Sequence, residues 1–194
     1  APFVNAILRA FLRKREELVF PSAEKEPVKY LSVRYSVSEK LCGLWCEMYG
    51  YGQTERILRG MDEPPTVTLR VNTLKTDRET LLGKLAADGI KAVPSPEAKF
   101  GVRLCSSAAV GSLGILSDGL CIVQDDASSL SVEALDPRPG DTVIDMCSAP
   151  GGKSMSAAML MGGEGRIRSF DIYESKLELI RGSAERLGIG IIET

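Results

Sequence analysis

The stretch Asp145-Met146-Cys147-Ser148-Ala149-Pro150-Gly151-Gly152-Lys153-Ser154 decides how the chain folds. It follows a β-branched apolar run, Thr142–Met146, that reads as a buried strand, and it opens a helical pattern over Ser154–Met161. A second strand over Arg166–Phe170, a helix over Ser175–Leu187 and the start of a third strand at Ile189–Ile192 come next. That alternation is a βαβ unit opening a parallel sheet, whose ligands bind beyond the carboxyl ends of the strands. Gly151 and Gly152 allow dihedrals and close backbone approach that a Cβ would block. The helix start then offers unpaired N–H groups to an anionic ligand group. Asp171 sits twenty residues after Gly151, at the end of the second strand. An acid at that position can accept the ribose hydroxyls of an adenosine-bearing ligand.

Other glycine loops fit less well. Gly152-Lys153-Ser154 imitates the tail of a phosphate-binding P-loop, but that motif needs glycine where Cys147 stands. No G-x-G-x-x-G can be read here, so the dinucleotide fingerprint fails as well. A tight structural turn with no ligand remains the plainest competing reading.

Upstream of the loop the rhythm differs. Thr66–Val71 reads as a strand, and Thr76 with Glu79 as a capping box for a helix ending near Gly89. Short strands follow at Ile90–Val93 and Val102–Cys105, then a weak helical turn at Ala108–Leu113 and a strand at Leu120–Gln124. The order β-α-β-β-α-β is that of a ferredoxin-like sheet, with Ala127–Leu135 as a helix joining it to the glycine-loop part. Phe100 is the one aromatic residue of this stretch, so the stacking platform of an RNA recognition motif is missing. Further upstream, Ser38 caps a helix carrying Leu41, Leu44, Trp45 and Met48, and a second helix covers Thr54–Gly60 until Glu63-Pro64-Pro65 stops it. Pro21–Pro27 reads as a linker. At the start, Phe3, Val4, Ile7, Leu8, Phe11 and Leu12 recur at helical spacing, and Arg9, Arg13, Lys14 and Arg15 form a basic cluster whose plain reading is a solvated helix end.

Composition narrows the chemistry. The 194 residues are 44% hydrophobic and 26% charged with a net charge of −2, so they fold, and no global basic field advertises a polyanion. The chain has no histidine, which removes histidine triads, histidine bases and the common zinc sites. Cys42, Cys46, Cys105, Cys121 and Cys147 are odd in number and scattered, as reduced thiols are. No metal is expected. No apolar run approaches membrane-spanning length and no signal peptide is readable at the start, so a cytoplasmic location without a membrane partner is expected.

The run Cys147 through Ser154 resembles the S-adenosylmethionine loop of the Sun family of RNA cytosine-5 methyltransferases, and especially its bacterial small-subunit ribosomal RNA members. Arg70-Val71-Asn72-Thr73 and Val123-Gln124-Asp125 with Ser128-Ser129 resemble two further signatures of the family, and Ala1–Arg13 resembles the last helix of its NusB-like domain. The resemblance implies S-adenosyl-L-methionine as cofactor. It implies cofactor contacts from Cys147, Ser148, Ala149, Pro150, Gly151, Gly152 and Lys153, with Asp171 on the ribose. It places Arg70 and Asn72 near the RNA or the active-site face, against the plainer reading of a strand-end arginine and a turn asparagine. It implies four parts: residues 1–20 ending a helical domain, 21–63 a helical linker, 64–126 a ferredoxin-like RNA-facing subdomain, and 127–194 the first half of a Rossmann-like α/β methyltransferase domain. The implied chemistry is cysteine addition to cytosine C6, which makes C5 nucleophilic toward a sulfonium methyl.

None of the five cysteines stands in the motif that step uses, so the expectation is an internal fragment without turnover of its own, from a protein monomeric at full length. Two rival readings stay open. One is a methyltransferase for protein or a small molecule, which label transfer into protein would favour. The other is a non-catalytic RNA-docking module, which salt-dependent RNA binding without cofactor binding would favour.

Overall fold

A computed structural model describes residues 2–63, 66–105 and 113–194, and these divide into two compact units, Ala1–Pro65 and Thr66–Thr194. The first unit is helical. α1 (Pro2–Lys14) buries none of its residues, and Phe3 and Leu12 are among its exposed apolar side chains. After it come α2 (Pro27–Tyr35), α3 (Glu39–Tyr49) and α4 (Tyr51–Asp62), packed around Leu31, Cys42 and Leu58. α3 begins where the sequence predicts, with Ser38 Oγ accepting from the Leu41 N–H at 3.3 Å. α2 is missing from the sequence reading, which took Pro27 as a linker boundary. Proline at the first helical position loses no hydrogen bond, so here it starts the helix instead.

The second unit opens with a four-stranded antiparallel sheet made of β1 (Thr68–Val71), β2 (Ala92–Pro94), β3 (Gly101–Leu104) and β4 (Cys121–Val123). Its order, β2-β3-β1-β4, is that of a ferredoxin-like fold, with Leu69 opposite Val102 on one side and Val123 on the other. α5 (Arg78–Ala87) and α6 (Gly114–Ser117) cover one face around Leu69, Val71, Leu81, Leu85 and Val102. The cap of α5 is Asp77, accepting from Thr80 N–H at 2.7 Å, and not the Thr76–Glu79 box. An ionised carboxylate one residue nearer the helix is the stronger acceptor. The turn expected at Ala108–Leu113 falls, up to Ser112, outside the described residues; α6 follows directly.

α7 (Asp126–Leu135) then leads into β5 (Thr142–Asp145), α8 (Gly152–Leu160), β6 (Arg166–Ser169), α9 (Glu174–Leu187) and β7 (Ile192–Glu193). These strands form a parallel sheet in the order β5-β6-β7, with Val143 opposite Ile167. This is an α/β unit with a parallel sheet following a ferredoxin-like sheet, in the order expected. The two parts share one core: Ile122 of β4 packs with Val132, Met155, Ile180 and Leu187.

Polar side chains close the seam between them. Asn72 Nδ2 donates to Gly119 O at 2.8 Å and to Leu187 O at 2.9 Å, while its Oδ1 accepts from Leu74 N–H at 3.1 Å. Arg103 donates to Asp126 at 2.7 Å, and Lys75 Nζ to Arg186 O at 2.9 Å. The second face of the ferredoxin-like sheet is therefore covered over β1 by α7, while Val93 at its β2 edge stays exposed.

Candidate cofactor cleft

The glycine loop leaves β5 at its carboxyl end and turns back into α8. Gly151 takes φ +102°, and a Cβ there would lie 3.2 Å from Ile180 Cγ1 and 3.3 Å from Met155 Cε. Only glycine suits a left-handed residue packed this closely. Its carbonyl accepts the first helical bond, from Met155 N–H at 2.9 Å. The loop is tied to the next strand by Ser148, whose N–H and hydroxyl both donate to Phe170 O, at 3.0 and 2.9 Å. Beneath it, Ser154 Oγ donates to Asp145 Oδ2 at 2.8 Å and lies 2.8 Å from Ser169 Oγ. This fixes the Asp145 carboxylate at the floor of the site. Sequence reasoning did not single out Asp145, Ser154 or Ser169 as a group, because only the parallel pairing of β5 and β6 brings them together.

Around the loop lies a cleft of about 230 Å³. Cys147, Ser148, Ala149, Pro150, Gly152 and Lys153 line it from the loop side. Gln124, Asp125 and Ser128 line it from the end of β4 and the first turn of α7. The sequence marks those three as part of a signature without giving them a place in the site. Asp125 caps α7, accepting from Ser128 N–H at 2.6 Å, and that bond holds its carboxyl below the usual aspartate range, with the Lys153 ammonium adding to the effect. Gly151 lies on the far side of the loop, lining a second cleft with Ile122, Met155 and Arg186. Asp171 follows β6, half-buried, with Oδ1 accepting from Tyr173 N–H at 3.3 Å. It lines neither cleft, so the structure gathers six of the eight expected cofactor residues in one cleft, with Gly151 behind it and Asp171 at the neighbouring strand end.

Arg70 and Asn72 do not present themselves to a polyanion. Both are fully buried in the seam, Asn72 in the network described above and Arg70 beneath α7. Arg70 Nη1 lies 3.7 Å from Glu133 Oε1, and its guanidinium stacks 5.4 Å from the centre of the Phe100 ring. The sheet face carrying Arg70 is used for packing here, between β1 and α7. Cys121 is buried with its thiol pushed up to about 12 by desolvation, and Cys42 is buried too. Among the described residues no group of three or more potential ligands could hold a metal, and no helix is long and apolar enough to cross a membrane.

A glycine loop at the carboxyl ends of parallel strands, N–H groups at the start of α8 and an acid after the next strand form the kind of arrangement at which open α/β folds take nucleotide-like ligands. Comparison with known proteins makes this specific. The RsmF/B-like ferredoxin-like domain matches residues 39–111, and the 16S rRNA methyltransferase RsmB/F family matches residues 132–194. The chain belongs to this family of methyltransferases. It is 39% identical over 192 residues to the probable ribosomal RNA small subunit methyltransferase B of Bacillus subtilis, covering 99% of this chain and 42% of that protein. It is 33% identical to the human 28S rRNA (cytosine(4447)-C(5))-methyltransferase over 96% of this chain and 23% of that one. The crystal structure of PH0851 superposes with a TM-score of 0.82 at 30% identity, covering 99% of this chain and 43% of that one. The chain thus spans less than half the length of these relatives.

Proposed function

We propose that this chain is the cofactor-loop and ferredoxin-like portion of an S-adenosylmethionine-dependent methyltransferase that modifies cytosine C5 in ribosomal RNA. The observation that carries the reading is the cleft itself. It joins the start of α8 at Gly152 with its unpaired N–H groups to opposed Lys153 and Asp125 side chains, on a loop whose turn is held from behind by the left-handed Gly151. When bound, the cofactor supplies an electrophilic methyl on a sulfonium.

The residues of this chain do the rest of the local work. The backbone of Gly151 and Gly152 gives close approach to the amino-acid end of the cofactor, and the N–H groups at the start of α8 meet its carboxylate. Asp171, at the end of β6, accepts the ribose hydroxyls. Ser148 and Ser154 keep loop and floor fixed, so little ordering cost falls on binding. Cytosine C5 needs a thiolate at C6 before it can take a methyl group. Cys42 and Cys121 are buried, Cys147 sits within the loop that would hold the cofactor, and neither Cys46 nor Cys105 lines the cleft. On this reading the attacking cysteine lies outside these residues, and the RNA approaches by surfaces other than the Arg70 face.

Transfer of tritium from methyl-labelled S-adenosylmethionine to small-subunit ribosomal RNA by the full-length protein tests the proposal. Label recovered as 5-methylcytosine supports it. Label in protein, or in another nucleoside, overturns the assignment of the acceptor. A Gly151→Val variant should lose cofactor binding, since its side chain would collide with Ile180 and Met155.

A further inference from the structure

We infer that Gln124 is a positioning residue that locks the first turn of α8, and with it the glycine loop, to the ferredoxin-like sheet. This rests on the reading of the cleft given above and adds a device that sets its geometry. Gln124 follows β4 directly, and its N–H donates to Thr68 O at 3.0 Å, so its backbone belongs to the sheet. Its side chain is 5% exposed and reaches across the seam to two fully buried serines on two different helices. Oε1 lies 2.9 Å from Ser129 Oγ of α7 and 2.8 Å from Ser156 Oγ of α8. The amide also lies close to Gly152, the first residue of α8: a Cβ there would sit 3.4 Å from Nε2. One side chain thereby touches the sheet, the helix carrying Ser128 and the helix carrying the loop.

Proton counting shows why an amide is needed. Ser156 Oγ is 2.8 Å from Gly152 O as well as 2.8 Å from Gln124 Oε1, but a hydroxyl has a single proton. When Ser156 gives that proton to Gly152 O, it can bond Gln124 only as an acceptor, which requires the N–H end of the amide. When it gives the proton to Gln124, the Gly152 carbonyl loses this partner. Glutamine serves both states by turning its amide, and its Nε2 otherwise has no partner in the buried seam. Leucine, of similar size, serves neither. Glutamate offers two acceptors and no donor, so it forces Ser156 away from Gly152.

The test compares wild type, Gln124→Leu and Ser156→Ala in the full-length protein, by S-adenosylmethionine titration and by amide hydrogen exchange without ligand. In Gln124→Leu, exchange in the peptide covering residues 147–155 should rise about tenfold, as for loss of one buried hydrogen bond. Exchange in β6 should stay unchanged, and the cofactor Kd should rise by a similar factor of about ten. Adding Ser156→Ala to Gln124→Leu should cost little more, because both act through one contact. Loop exchange and Kd both unchanged in Gln124→Leu would overturn the inference, as would a uniform rise across the whole second unit. If wild type does not bind the cofactor but loop exchange responds as described, the cleft assignment falls while the latch stands.

Discussion

Removing the Glu133 carboxylate should destabilise the second unit far more than removing the Arg70 guanidinium. Arg70 is fully buried, and its Nε, Nη1 and Nη2 atoms have no hydrogen-bond partner. Glu133, 3.7 Å away, keeps 23% of its side chain exposed. At an effective dielectric near 20 the pair is worth about 4 kcal/mol gross, and burial of the cation offsets much of it. Burial already pushes the Arg70 pKa down, with Glu133 opposing. Glu133→Leu leaves a buried cation with only the Phe100 ring beside it, so a loss of about 3 kcal/mol is expected. Arg70→Met leaves a carboxylate that can turn to water, and should cost no more than about 1 kcal/mol. The double variant should return to wild-type stability or exceed it. Urea unfolding followed by circular dichroism measures all four proteins, read from midpoints at constant m-value. Equal losses for the two single variants would refute the reasoning, because the asymmetry comes from the difference in burial.

Three further outcomes follow from the same structure. Asn72→Ala should cost about 2–4 kcal/mol in the same unfolding assay, since it strands two carbonyls and one N–H in the seam; a loss below about 1 kcal/mol would show that water replaces the side chain. Asp125→Ala should cost about 1 kcal/mol at neutral pH as a lost helix cap. The Asp125 carboxyl is lowered in the folded state, so this difference should be complete above the ordinary aspartate value of 3.8, shrink below it and be lost only as pH falls through the lowered folded-state value; a difference that is undiminished at the acid limit would contradict the charge-based account. Iodoacetamide at pH 8 should label Cys105 and Cys147, which are exposed, and spare Cys42 and Cys121, with peptide mass spectrometry as the readout.

Local chemistry made much of this legible in the sequence. The βαβ alternation, the strained glycine turn and the Ser38 cap each depend on a few neighbouring residues, so they survive reading from one chain. Tertiary cover is what single-chain reading cannot supply. In β1, Leu69 and Val71 alternate with Thr68 and Arg70, which reads as one buried and one wet face. All four residues are buried, because α7 closes over the polar face. The end of α9 likewise hides Asn72, and tertiary packing brings Gln124, Asp125 and Ser128 to the cleft beside a loop that follows them in the chain. Residue 27 shows a different limit: proline both ends linkers and starts helices, and only the packing of Leu31 against Cys42 and Leu58 decides between them.

Incubating the full-length protein with S-adenosylmethionine and ribosomal RNA carrying 5-fluorocytosine tests the central claim most directly. Fluorine at C5 blocks the final proton removal, so a cysteine that has attacked C6 stays attached. A cofactor-dependent covalent complex on a denaturing gel is the predicted result. No complex, with cofactor binding intact, would contradict cytosine as the methyl acceptor.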